Sequence, residues 1–187
     1  MRLLLITFLF LSTYGCASHY SVEPALPPSS TPVFAPVTAY IDDGTQGSGN
    51  AYPYDVEIYK TLVASGMFSS LSSLGPENQL IINFDTHNNE GLAAVFVSAA
   101  LLFLLPIKHD FDYTLVAEAR VHGTTVRQYH YRVNEQAFKA PLLDPGMRSS
   151  REAIAILMSH FLKDLADQPP FPEMSSPMPS NQTPITL

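Results

Sequence analysis

A single cysteine, Cys16, occurs in the 187 residues, so no disulfide can form within one chain. Charge is scarce as well: Asp, Glu, Lys and Arg make up 14% of the sequence, against about 25% in ordinary soluble domains. Lys and Arg number 10 against 17 Asp and Glu, giving a net charge of -7. Such a chain lacks the basic surface that neutralises phosphates, which argues against nucleic acid as a partner. No apolar run reaches the roughly 20 residues that a membrane-spanning helix needs. Gly-x-Ser-x-Gly and HExxH are absent. The Gly-rich stretch Gly44-Thr-Gln-Gly47-Ser-Gly49 lacks the Gly-Lys-Ser/Thr ending that would hold a phosphate, so it reads as a loop. Asp85, His87, His109, Asp110 and Asp112 have no recognised ligand spacing and read as polar ends of an apolar insertion. The expectation is a non-enzymatic protein with no catalytic residues, no cofactor and no metal.

The one cysteine is placed informatively. Arg2 and the amino terminus form a small positive region, Leu3 to Leu11 an apolar one, and Gly15 is a small residue directly before Cys16. These are the parts of a bacterial lipoprotein signal, with cleavage before a cysteine that is then acylated. Thr13 and Tyr14 depart from the usual lipobox, which has leucine and a small residue at those places. An exported protein that keeps one thiol at the expected cut fits acylation of that thiol. Two or more acyl chains anchor stably where one does not. Bacterial lipoproteins kept in the inner membrane usually carry aspartate after the cysteine, where this chain has Ala17 and Ser18, so the resemblance to such lipoproteins implies the outer membrane, facing the periplasm.

The organisation expected from composition is a signal over residues 1–15, Cys16 with a tether to residue 36, one domain over 37–167, and a tail over 168–187. Pro24, Pro27, Pro28, Pro32 and Pro36 make residues 18–36 extended and poor in core formers, long enough to hold the domain up to about 55 Å from the bilayer. The tail, rich in proline, serine and threonine, is expected to be disordered.

Within the domain, Val37 to Ile41 reads as a strand and Asp55 to Ser65 as a helix. Asp55 is expected to cap it, Tyr54 and Tyr59 to staple it, Ile58, Tyr59, Leu62 and Val63 to face the core, and Gly66 to stop it. Leu80, Ile82 and Phe84 share a strand face. Asp112 to His122 and Thr124 to Val133 form a hairpin turning at Gly123, with His122 and His130 as candidate cross-strand neighbours. Ser149-Ser-Arg-Glu152 fits a capping box for a closing helix that buries Ile154, Leu157, Phe161, Leu162 and Leu165. The predicted fold class is α+β: a two-layer sandwich of about four mostly antiparallel strands with two helices on one face, in the order β-α-β-insertion-β-β-α.

That insertion, residues 91–107, is almost wholly apolar. As a helix from Leu92 to Ile107 it would measure about 24 Å, short of the roughly 30 Å hydrocarbon layer. Two readings stand side by side. Phe96, Leu101, Leu102, Phe103 and Leu104 complete the domain core, or they are presented to the membrane or to a protein partner.

The lipobox, Pro-rich segment, strand-helix-strand, Leu-Leu-Phe-Leu-Leu-Pro stretch, Tyr-containing hairpin and closing helix resemble small Gram-negative outer-membrane lipoproteins. In topology the order is similar to the accessory lipoprotein of lipopolysaccharide assembly. The resemblance implies a lipid-anchored envelope protein, accessory or adaptor to an outer-membrane or periplasmic complex. Its expected partners are the membrane, through the N-terminal lipid, and an envelope protein. The alternative is a binder or sensor of lipid or other apolar molecules through residues 91–107.

Overall fold

The alternating stretches on either side of Gly123 form the longest hairpin in the computed structural model of this chain. The structure describes residues 18–28, 32–42, 54–72, 75, 77–89, 107–139 and 147–174. In chain order the elements are β1 (Ser18–Tyr20), β2 (Val37–Asp42), α1 (Tyr54–Ala64), β3 (Leu71–Ser72), β4 (Asn78–Asn88), β5 (Ile107–Val121), β6 (Thr124–Lys139) and α2 (Met147–Asp167). The strands form one sheet in the order β1-β6-β5-β4-β2-β3. β2 pairs in parallel with β3 and β4, and the other pairings are antiparallel. The parallel step from β2 to β4 needs a crossover, and α1 lies in it.

Local chemistry explains most of these elements. His122 and Gly123 have φ of 51° and 77°, the left-handed pair of a two-residue turn whose twist matches that of the strands. His130 is paired with Val116, so the two histidines are not cross-strand neighbours. Along β4, β5 and β6 every second side chain points inward: Leu80, Ile82 and Phe84, then Tyr113, Leu115, Ala117 and Ala119, then Tyr129 and Val133 are buried. These residues share one core with Ile58 and Leu62 of α1 and with Ile154, Leu157, Phe161 and Leu165 of α2.

The helices start earlier than expected. α1 begins at Tyr54, so Asp55 lies in its first turn, where its carboxylate accepts from the Val56 amide at 2.7 Å. Tyr54 packs on Phe84 with ring centroids 5.0 Å apart, while Tyr59 and Val63 are exposed, so the expected staple does not form and the buried stripe is narrower. Gly66, at φ 67°, ends the chain's helical course as anticipated. α2 begins at Met147, which puts Ser149 inside the helix instead of at its cap. Leu162 is only partly buried against the core.

The α+β class stands, but the four-strand sandwich is corrected to a mixed sheet of six. The added strands are short and arise where composition predicted loop or tether. β1 lies inside the expected tether and pairs with β6, and the same segment supplies the fully buried Phe34. Phe34 packs on Phe68 and Phe171, at 5.7 and 5.8 Å between ring centroids. Phe171 belongs to the expected tail, whose first residues run back along residues 33–35 through bonds from the Met174 amide to the Val33 carbonyl and from the Ala35 amide to the Pro172 carbonyl. Burying one aromatic ring outweighs the polar average of the residues around it.

Candidate functional site

Two strand ends and a third chain entry meet at one end of the sheet. The terminal pair of the hairpin is Ile107 with Lys139. Ser18 of β1 pairs with Ala137, which pairs on its other side with His109. β4 ends nearby, where Asn88 pairs with Phe111 and the Asn89 amide donates to the Asp110 carbonyl at 2.9 Å. Ser150, in the first turns of α2, lies 3.5 Å from the Tyr113 hydroxyl, which places the start of that helix at the same end.

Beneath this end the core is polar. The Tyr113 hydroxyl donates to Oε2 of Glu135 at 2.9 Å, and both residues are buried. Burial and, after it, the Glu135 charge push the Tyr113 hydroxyl well above its ordinary pKa, despite the opposing bond with Ser150. Tyr20 of β1 donates to Glu152 of α2 at 3.0 Å, and burial, then the Glu135 and Glu152 carboxylates, raise it similarly. These hydroxyls stay protonated across the physiological range and act as fixed donors; they are not available as bases.

On the opposite face of the same strands lies a second polar group. Asp112 accepts from Arg132 at 2.7 Å, Asn89 at 2.8 Å and Asn134 at 3.3 Å, and Asn134 also donates to Asp110 at 2.6 Å. The Arg132 bond, followed by that from Asn89, holds the Asp112 carboxyl down at about 2. This carboxylate is fully occupied as an acceptor and holds the ends of β4, β5 and β6 in register. Among the described residues no group of three His, Cys, Asp or Glu side chains could hold a metal ion.

A shallow groove of about 520 Å³ runs between α1 and β2, lined by Ala39, Ile41, Val56, Tyr59, Lys60 and others. It is open to solvent and does not enclose a ligand as small-molecule sites do. Among the described residues no helix is long and apolar enough to cross a membrane.

Cys16, Phe96, Leu101, Leu102, Phe103 and Leu104 lie outside the described residues, but their attachment points do not. Ser18 stands two positions after Cys16, Asn89 two positions before the insertion, and Ile107 is the insertion's last residue and the first of β5. The structure therefore brings the root of the proposed anchor and both roots of the insertion to one end of the sheet. Glu135 was missed in the sequence, although alternation continues beyond Val133 through Asn134, Glu135, Gln136 and Ala137 and puts it on the inner face.

No family model matches the chain, and no curated protein matches it. Among solved structures, a minor lipoprotein from Acinetobacter baumannii is similar at a TM-score of 0.44 and 9% identity, covering 74% of this chain and 97% of that one. A Xanthomonas campestris protein of the DUF330 family gives 0.45 and 10%, over 78% and 92%. Rare lipoprotein B from Shewanella oneidensis gives 0.35 and 8%, over 70% and 88%. At these scores and identities the likenesses carry no argument about function. The resemblance to the lipopolysaccharide-assembly lipoprotein gains no support from them.

Proposed function

We propose that this chain is a non-enzymatic envelope lipoprotein, acylated at Cys16, that serves as accessory or adaptor to an outer-membrane or periplasmic complex. The observation that carries the reading is the position of the only thiol, directly after Gly15 at the end of the apolar stretch from Leu3 to Leu11. Phe96, Leu101, Leu102, Phe103 and Leu104 contact the membrane or an envelope protein in this reading.

Mass spectrometry of the N-terminal peptide from native membranes tests it. The expected result is a peptide beginning at Cys16 with a thioether diacylglycerol. An unmodified thiol in a chain that still begins at Met1 contradicts it. Cys16→Ser should move the protein from the membrane to the soluble fraction; retention would mean that a second element anchors it.

A further inference from the structure

We infer that the domain stands directly on the bilayer that holds Cys16, with the sheet end formed by Ser18, Asn88, Ile107, Lys139 and the first turn of α2 facing the lipid headgroups. The inference rests on the acylation proposed above and adds to it an orientation and a contact surface.

The argument begins with the length of the connection. Only Ala17 separates Cys16 from Ser18, so the acylated residue is within about 7 Å of the sheet even if the chain is fully extended. β1 offers no slack after that point. Ser18, His19 and Tyr20 pair with Ala137, Gln136 and Glu135. The Ser21 amide donates to the Asn134 carbonyl at 2.9 Å, and the Asn134 amide returns a bond to Ser21 Oγ at 2.9 Å. Further on, the Ala25 amide donates to Ser159 Oγ at 2.8 Å, and Nε2 of His160 bonds the Glu23 carbonyl at 2.9 Å. A segment that by composition would be a spacer of about 55 Å is instead laid across β6 and along α2.

Two exposed cations stand at this end. Lys108 stands near the start of β5 and Arg151 in the first turns of α2. Lys108 and Arg151 are exposed. Among the described carboxylates near them, Asp112 is paired with Arg132, while Asp110, Glu135 and Glu152 accept from Asn134, Tyr113 and Tyr20. The amino end of α2 adds partial positive charge at the same end. Toward the hairpin turn, Glu77, Glu118, Asp164, Asp167 and Glu173 outnumber Arg120, Arg127 and Lys163. Anionic headgroups therefore repel the turn end, which favours the opposite end, with Lys108 and Arg151, as the one that faces them.

The test uses full-length acylated protein in vesicles of phosphatidylethanolamine and phosphatidylglycerol with a headgroup-nitroxide lipid as quencher. With Cys16 acylated, a cysteine introduced as Lys108→Cys or Thr124→Cys is the only free thiol, and both positions are exposed. Fluorophore at 108 should be quenched roughly ten-fold more than at 124, which lies about 44 Å away along β5. Equal quenching at the two positions, or stronger quenching at 124, overturns the orientation. A Gly-Ser linker inserted between Ala17 and Ser18 should lower quenching at 108 toward the value at 124. Unchanged quenching overturns the claim that the short connection sets the orientation. Absence of lipid on Cys16 in the same preparation defeats the acylation reading itself, whereas an acylated chain with no quenching at 108 defeats the orientation alone.

Discussion

At the hairpin end of the sheet the core closes with aromatic rings, Phe34 against Phe68 and Phe171, whereas at the end where β1 enters it closes with Tyr113 donating to the buried Glu135. The first arrangement is non-directional: burial of apolar area supplies the stability, and the rings tolerate small shifts. The second is directional. A buried carboxylate costs free energy unless it is hydrogen-bonded, so the Tyr113 hydroxyl that donates to Glu135 must sit where it does. The fold thus closes without directional bonds at one end and with a directional one at the other, beside the proposed anchor.

The largest break in this comparison should come from Phe34→Ala, which empties a fully buried ring site and should lower the unfolding free energy by about 3–5 kcal/mol. Urea denaturation measures it; a loss of only a few tenths would mean that the segment before β2 does not close the core. Tyr113→Phe keeps the shape but removes the donor to Glu135, and a loss of about 1–3 kcal/mol is expected at neutral pH in the same assay. An unchanged midpoint would show that the polar end does not depend on this bond.

The smallest effect concerns the open face. Asp112 is held at about 2, mainly by Arg132, below the roughly 3.9 of a free aspartate. A depressed carboxyl contributes stability that is fully present above the unfolded value and is lost as the pH falls through the folded one. The Asp112 contribution should therefore fade between about pH 4 and 2, by about 1 kcal/mol or less because Arg132 is largely exposed. Asp112→Asn should flatten that part of the stability profile; an identical acid slope in the variant would remove Asp112 from the account.

What could be read from the sequence follows the same division. Alternation displayed the inner faces of β4, β5 and β6, and Gly66 and Gly123 marked a helix end and a turn, because period and backbone freedom are local properties. β1 and Phe34 were hidden because three strand residues and one ring among prolines leave composition and periodicity unchanged; only the long-range partners on β6, α2 and the residues near Pro172 reveal them. Glu135 was hidden for the opposite reason: a charged residue ends an apolar pattern, although the period of two carried on through it. Of the proposed functional residues, Cys16 was legible by its neighbours in sequence, while the meeting of its root with those of the insertion depends on the register of β1, β5 and β6.

Hydrogen exchange on the membrane-bound protein tests most directly the claim that the residues after Cys16 belong to the fold. The Ser21 and Ala25 amides donate to Asn134 and Ser159, and they should exchange far more slowly than an unstructured chain and comparably with the outer turns of α2. Exchange at the rate of a free peptide over residues 18–25 would restore a flexible tether and contradict the account.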